Sequence, residues 1–230
     1  MRKSNLGLSG NQLKILAVIF MTIDHVGLYL FPGESIFRII GRLAFPFFAY
    51  TFSEGCKYTK NRYRHFFVLL ALGILCQAVY SYMTKSLYQN ILITLALSEL
   101  VIYSFDFSQK NKNIIGFFIS SLALLGVFYV CYILPSKIGH GFAIDYGFFG
   151  VMLPVLVYIG KNKQEKLSLL SIGLLVLASS HGTIQLFSIL SVPIIALYNG
   201  KRGKWHMKNF FYAYYPLHLV VIYFLGMFLK

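Results

Sequence analysis

Apolar residues in this chain occur in nine long runs, which short polar or charged segments separate. The runs cover residues 13–31, 36–55, 65–84, 88–106, 113–134, 144–160, 167–180, 183–198 and 209–229. Most approach the roughly 17–25 residues that an α-helix needs to cross a bilayer. Because only a thin separator stands between the seventh and eighth runs, they could instead form a short or broken pair. The pattern predicts an all-α integral membrane protein, a polytopic bundle of about nine transmembrane helices in a single transmembrane domain over residues 1–230.

Composition strengthens this prediction. Of the 230 residues, 57% are apolar and 12% are charged, whereas soluble domains average about 45–50% and 25%. Lipid is therefore needed to cover the apolar surface, which excludes an ordinary water-soluble fold. The first run is about as long as a span, contains charges and lacks a small-residue cleavage site. We therefore expect it to be retained and not removed as a signal peptide.

The basic residues predict the orientation. With the N-terminus inside, the inner segments hold fifteen of the 21 lysines and arginines: Arg2, Lys3, Lys57, Lys60, Arg62, Arg64, Lys110, Lys112, Lys161, Lys163, Lys166, Lys201, Arg202, Lys204 and Lys208. The outer segments hold Lys85, Lys137 and Lys230. Cytoplasmic loops are rich in such residues, so we expect a multi-pass plasma-membrane protein with a cytoplasmic N-terminus. The net charge of +14 is then a topology signal that also suits anionic lipid or a phosphorylated ligand, and we expect no nucleic-acid partner.

Ionisable residues inside the first predicted span are candidates for function, because charges at membrane depth are costly. They are Lys14, Asp24 and His25. Lys14 and His25 are eleven residues apart, which places them on one helix stripe roughly 16 Å apart. Lys14 could equally extend to the inner headgroups. Asp24 and His25 could also be a structural pair that bonds neighbouring helices.

Two arginines, Arg38 and Arg42, lie one helical turn apart at the outer end of the second span. Arg38 could be an interfacial anchor. Arg42 precedes an apolar stretch, which suggests an internal partner such as Asp24 or a bound anion. We expect Pro46 to kink this helix.

Further polar residues lie near the sixth and last spans. Asp145 and Tyr146 open the sixth span, where a carboxylate would cap the helix. In the last span, Tyr215 and His218 are three residues apart and share a face.

Other residues receive no specific role. His65, His140 and His206 are assigned to loops without function, and Glu99 needs a partner that the sequence does not identify. Cys56, Cys76 and Cys131 are expected to be packing residues. No metal-ligand spacing or phosphate-binding loop is present, so no metal is expected.

At these residues the chain resembles the TraX family, whose named member N-acetylates the pilin of a conjugative plasmid. The matching segments are Leu13-Lys14-Ile15, Ile23-Asp24-His25-Val26-Gly27, Arg38-Ile39-Ile40-Gly41-Arg42-Leu43-Ala44-Phe45-Pro46, Ser53-Glu54-Gly55, Asp145-Tyr146-Gly147-Phe148-Phe149-Gly150-Val151-Met152-Leu153-Pro154, Phe211-Tyr212 and Tyr215-Pro216-Leu217-His218-Leu219. The spacing of Lys14 and His25 is also similar to the Arg, ten residues, His pattern of membrane acyltransferase-3 proteins. Lysine keeps the charge of that arginine but not its bidentate fork.

These resemblances imply an acetyl-CoA-dependent membrane acyltransferase that acts on an amine or hydroxyl of a protein or glycan acceptor. His25 would be the general base, oriented by Asp24 or another carboxylate. Arg42 would stabilise the thioester oxyanion or bind an anionic group. His218 and Tyr215 would support the base or relay protons. The substrate-binding set would be Arg38, Asp145, Tyr146 and Tyr215. The set for the CoA donor would be Lys14, Lys57, Arg62 and Arg64.

Two other functions are consistent with the same buried charges. One is a transporter or permease for a small solute, although no internal symmetry is visible. The other is a non-catalytic protein of cell-envelope assembly.

Overall fold

The computed structural model describes residues 7–205 and 207–228. Arg2, Lys3, His206 and Lys230, which entered the sequence predictions, lie outside these residues. The helices in chain order are α1 Gly10–Tyr29, α2 Ser35–Gly41, α3 Ala44–Tyr58, α4 Arg62–Thr84, α5 Ile91–Asn111, α6 Ile114–Phe128, α7 Leu134–Ile138, α8 Gly147–Ile159, α9 Lys163–His181, α10 Ser191–Ala196 and α11 Lys208–Phe228. A π-helical turn, Tyr129–Ile133, joins α6 to α7, and a 3₁₀-helix, Thr183–Leu190, precedes α10. The all-helical prediction is confirmed apart from two parallel strands of two residues each, β1 (Tyr88–Gln89) and β2 (Ala143–Ile144).

Five helical segments in the described part of the chain are long and apolar enough to cross a membrane. They are Gly10–Tyr29, Arg62–Thr84, Ile91–Asn111, Ile114–Ile138 and Phe210–Phe228. They coincide with the first, third, fourth, fifth and ninth apolar runs, as predicted. The sixth and eighth runs form the shorter apolar segments Gly147–Ile159 and Thr183–Ala196. The count of nine spans and the cytoplasmic N-terminus stay predictions.

The second apolar run is broken, which corrects the prediction of one kinked helix over 36–55. Helix α2 ends at Gly41 and α3 begins at Ala44, with Pro46 in its first turn. Pro46 has no N–H to donate to the carbonyl of Arg42 four residues earlier, and its ring crowds that carbonyl. The chain therefore breaks four residues before the proline, at residues 42–43.

The first half of the eighth run adopts 3₁₀ geometry before the short helix α10, which supports the alternative of a broken pair. Gly182, with φ +85°, ends α9. The Ser188 hydroxyl donates to the Gln185 carbonyl and the Ser191 hydroxyl to the Ser188 carbonyl, both at 2.7 Å. These side chains bond carbonyls three residues earlier, which reinforces the tighter i to i−3 turn.

The chain divides into two compact units. The first comprises the residues up to Thr51 and those from Asn162 onward, and the second is Phe52–Lys161. In the first, Leu13, Phe47 and Leu174 are among the fully buried core residues. Here α1 packs on α2 and α11.

The start of α1 is fixed by its own cap and by a distant segment. Ser9 and Gln12 form a reciprocal capping box. Just before the helix, the Leu8 N–H donates to the Leu197 carbonyl at 2.8 Å, and the Asn199 N–H donates to the Leu8 carbonyl at 2.9 Å. These bonds set the position of α1, which carries Lys14, Asp24 and His25.

The second unit packs α4, α6 and α8 against α5. One buried cluster in this unit comprises Cys56, Val101, Ile102, Val127, Ile144, Val151 and Val155. All seven side chains are small or branched, which suits dense packing between helices.

Candidate functional site

Two glycines allow α1 and α2 to approach closely. A Cβ on Gly27 would collide with the Phe37 side chain, and a Cβ on Gly41 would collide with the carboxylate of Asp24. The Asp24 side chain therefore lies directly against the backbone of α2. The residues three before and one after Gly41, Arg38 and Arg42, stand on either side of that contact.

The Asp24 carboxylate bridges both arginines, which confirms the predicted pairing with Arg42. Its Oδ2 lies 2.7 Å from Nη1 of Arg38, and its Oδ1 lies 2.8 Å from Nη2 of Arg42. The carboxylate and the Arg42 side chain are each 15% exposed, and Arg38 is 32% exposed. Two guanidinium groups on one carboxylate leave a net positive charge, so the cluster favours an anion or a developing negative charge.

Arg42 makes two further bonds. Its Nε donates to the Arg38 carbonyl at 3.4 Å, and its Nη1 donates to Oε1 of Gln185 at 3.5 Å. Gln185 was not among the residues predicted for the site. Its signal in the sequence is weak, since it is one amide among mostly apolar neighbours in the eighth run.

Next to Asp24 on α1, His25 pairs with His218 of α11. Nδ1 of His25 and Nε2 of His218 are 2.9 Å apart, and Nδ1 of His218 lies 3.0 Å from the Tyr214 carbonyl. Since a carbonyl only accepts, Nδ1 of His218 carries a proton. In neutral rings, Nε2 of His218 then accepts from the N–H at Nδ1 of His25. Nε2 of His25 is left with a lone pair, and no hydrogen bond to it occurs among the described residues.

This arrangement corrects the predicted orientation of His25 by Asp24. Adjacent helical residues point about 100° apart, so Asp24 faces α2 while His25 faces α11. The orienting group is the imidazole of His218. The predicted convergence of His25 and His218 on one site is found in the structure.

Aromatic rings fix His218. Tyr214 stacks on it with ring centroids 5.2 Å apart. Tyr215, which was predicted to share its helix face, meets it edge-on at 5.6 Å. The hydroxyl of Thr22 donates to the Val18 carbonyl at 2.8 Å, so it can only accept from the Tyr214 hydroxyl at 2.6 Å. Thr22, which sequence analysis passed over, therefore ties α1 to the ring that supports His218.

Lys14 lies nearer the start of α1. Its Nζ is 5.7 Å from the ring centroid of Phe211, a distance that suits a cation–π contact. Its predicted part in binding CoA stays a prediction.

The other residues of the predicted CoA-binding set belong to the second unit. Arg62 pairs with Asp106 at 2.5 Å and lies over the Tyr103 ring at 4.8 Å. Lys57 donates to the Gly160 carbonyl at 3.4 Å. Arg64 is exposed.

Asp145 and Tyr146 also belong to the second unit, and Asp145 does not cap α8. Its Oδ1 accepts from the Tyr88 hydroxyl at 2.9 Å, and its carbonyl accepts from the Thr94 hydroxyl at 2.9 Å. The capping position is Tyr146, which has φ +58° and whose side chain makes no capping hydrogen bond. The left-handed backbone at Tyr146 sets the helix start one residue later than the prediction requires.

A buried pair that the sequence did not reveal joins α4 to α5. His65, assigned to a loop, lies in the first turn of α4, and its Nδ1 is 2.6 Å from Oε1 of Glu99. Glu99 is fully buried. Its Oε2 and the Tyr103 hydroxyl have no hydrogen-bond partner among the described residues. His65 is therefore the partner that Glu99 required.

Comparison with known proteins gives matches over nearly the whole chain. The model of one family, described as TraX protein, matches residues 9–226. An uncharacterized protein of Rickettsia prowazekii (strain Madrid E) is 32% identical over 183 residues, which are 79% of this chain and 66% of that protein. The probable fimbrial assembly protein FimC, serogroup H1, of Dichelobacter nodosus is 26% identical over 258 residues, covering 98% of this chain and 99% of that protein. No solved structure matches the chain.

Proposed function

The chain belongs to the TraX family, and from this premise we propose that it is a membrane-embedded acyltransferase. It transfers an acetyl group from acetyl-CoA to an amine or hydroxyl of a protein or glycan acceptor in the cell envelope. The observation that carries the proposal is the hydrogen-bonded pair of His25 and His218 beside the charged cluster of Asp24, Arg38 and Arg42. The resemblance to membrane acyltransferase-3 proteins stays a prediction.

His25 serves as the general base. The chain of bonds from the Tyr214 carbonyl through His218 directs a lone pair to Nε2 of His25. When that nitrogen takes a proton, the charge spreads onto the second imidazole, because Nδ1 of His25 donates to it. His218 thus fixes the tautomer of His25, as the aspartate of a Ser-His-Asp triad fixes the tautomer of its histidine.

The acetyl transfer balances with these groups alone. Nε2 of His25 removes the proton from the acceptor as the acceptor's nitrogen or oxygen bonds to the acetyl carbon. The carbon–sulfur bond breaks, and the proton held by His25 passes to the departing CoA thiolate. We assign to Arg42 the stabilisation of the negative charge that develops on the acetyl oxygen.

Positive charge in the first unit supports an acyl-CoA as the donor. The cluster around Asp24 is net positive and partly buried, which suits a polarised thioester. In the first unit, the ammonium of Lys14 suits a phosphate group. The parts predicted for Lys57, Arg62 and Arg64 in binding CoA stay predictions. We propose a cytoplasmic N-terminus in the plasma membrane, which gives the inner basic loops access to cytoplasmic CoA.

The test is turnover by purified protein in detergent with radiolabelled acetyl-CoA and candidate acceptors, such as peptides with a free N-terminus. His25→Asn is expected to lower kcat about 10²–10⁴-fold. His140→Asn is the matched control, since His140 is an exposed loop residue. Full turnover by His25→Asn shows that the base is assigned wrongly. No acetylation of any acceptor by the parent protein refutes the acyltransferase.

One comparison favours a second function, a non-catalytic part in assembling envelope fibres, because the Dichelobacter nodosus relative is named a probable fimbrial assembly protein. An acyltransferase requires His25 and Arg42 for its activity, whereas a non-catalytic assembly protein does not. Assembly that is unchanged in cells carrying both His25→Asn and Arg42→Gln, with the protein present at normal levels, supports the non-catalytic function.

A further inference from the structure

The side chain of Gln185 is held in a buried position beside Arg42. It is 1% exposed and lies in the 3₁₀-helix after Gly182. The backbone N–H of Gln185 donates to the Gly182 carbonyl at 3.0 Å, and its backbone carbonyl accepts from the Ser188 hydroxyl at 2.7 Å. The backbone of this residue is therefore fixed on both sides.

The direction of the amide follows from the chemistry of its neighbour. Arg42 can only donate, so the atom that faces its Nη1 must be the amide oxygen, Oε1. Turning the amide over would oppose two donors. The amide nitrogen, Nε2, thus points away from Arg42, and it has no acceptor among the residues that the structure describes.

A buried donor of this kind requires an explanation. More than nine in ten buried polar groups in folded proteins have a hydrogen-bond partner, because an unpaired one loses its hydration without compensation. Methionine would fill a similar volume without an unpaired donor, yet the chain has an amide. The bonds from Asp24 through Arg42 to Gln185 connect this donor to the residue next to His25.

We propose that Nε2 of Gln185 donates a hydrogen bond to the carbonyl oxygen of the acyl group during transfer, and that it forms an oxyanion site with Arg42. This inference rests on the proposed acyltransferase function. The ligand must be an acceptor, and the net positive charge of the cluster favours one on which negative charge grows.

The side-chain amide of Gln185 acts while bonds to the acyl carbon form and break. As the acceptor's nitrogen or oxygen bonds to the acyl carbon and its proton moves to His25, the π electrons of the carbonyl move onto its oxygen. A hydrogen bond from Nε2 of the Gln185 side chain stabilises that oxygen. When the carbonyl forms again, the carbon–sulfur bond breaks, and the CoA thiolate takes the proton from His25.

Two substitutions separate this role from a structural one. Gln185→Glu keeps an acceptor for Arg42 but removes the donor, and Gln185→Met removes both. Gln12→Glu is the matched control, because Gln12 is exposed on α1 and glutamate also completes the capping box with Ser9. Acetyl-CoA turnover and the melting temperature are measured for each variant.

We expect Gln185→Glu to lower kcat about 10²–10³-fold, as the loss of one oxyanion donor does. We expect little change in KM or in melting temperature, and parental turnover in Gln12→Glu. Parental kcat in Gln185→Glu, with a lower melting temperature in Gln185→Met, overturns the inference and leaves Gln185 as a structural partner of Arg42. That result leaves the acyltransferase standing. A parent protein without turnover overturns both.

Discussion

A methyl group added at Gly41 tests whether Asp24 really lies against the backbone of α2. The Cβ of Gly41→Ala would overlap the Cβ, Cγ and Oδ1 of Asp24. These atoms cannot easily yield, because Arg38 and Arg42 hold both carboxylate oxygens. Either the helices separate or the carboxylate leaves its two partners.

The expected magnitude follows from three effects. Overpacking costs about 1–3 kcal/mol. Breaking a buried ion pair costs about 3–5 kcal/mol when the displacement is complete. Alanine gains at most about 1 kcal/mol over glycine in helix propensity. A partial displacement therefore predicts a loss of about 2–4 kcal/mol, or roughly 5–15 °C in melting temperature for a chain of this length.

The assay is thermal unfolding in detergent micelles, followed by far-ultraviolet circular dichroism. Gly126→Ala is the matched control, since Gly126 is also helical and a Cβ there has no neighbour within 4 Å. We expect the control to melt at or slightly above the parental temperature. If Gly41→Ala does the same, the close contact between α1 and α2 is refuted, and the geometry of the charged cluster with it.

Three further predictions concern the buried pair, the cluster and the topology. His65→Ala should lower the free energy of unfolding by about 3–5 kcal/mol in the same assay, because it leaves the fully buried Glu99 carboxylate without its partner; adding Glu99→Gln should recover part of that loss, and no recovery contradicts a charge effect. Asp24→Asn should abolish acetyl-CoA turnover and lower the melting temperature, since two guanidinium groups lose their counter-charge; parental turnover would show that the cluster is not needed. In a cysteine-free background, an impermeant maleimide should label His140→Cys but not Lys112→Cys in intact cells, and the opposite pattern reverses the proposed orientation.

The pairing of Arg42 with Asp24 could be predicted because a charge at membrane depth must find a counter-charge, and few acidic residues are available. Helix α1 and the four other helices that are long enough to cross a membrane were also predictable, since an apolar run of sufficient length has few other structures to adopt. Both predictions depend on large energies, the cost of a buried charge and the burial of apolar surface, which change little with the neighbouring residues.

The pairing of His65 with Glu99 could not be predicted because it depends on the relative register of two helices. The side chain of Asn90 bonds the Gly73 carbonyl at 2.9 Å, so α4 extends well beyond the start of α5. A histidine in the first turn of α4 then reaches the middle of α5. The sequence carries no direct measure of that offset.

The break before Pro46 and the environment of Gln185 show a second limit. A proline indicates that a helix is disturbed, but whether it kinks or breaks depends on what receives the freed carbonyl groups. The environment of Gln185 depends on a 3₁₀-helix that brings its amide to Arg42, 143 positions away in sequence. Neither is a local property.

The guanidinium of Arg42 places a constraint on how this chain can evolve. Its three nitrogens each serve a different element: Nη2 the aspartate of α1, Nε the last turn of α2, and Nη1 the amide of the 3₁₀-helix. A lysine would keep the charge, but its single ammonium lacks the planar fork that reaches in three fixed directions. Positions 24, 42 and 185 can therefore be exchanged only together, and homologues that diverge at one of them should carry matching changes at the other two.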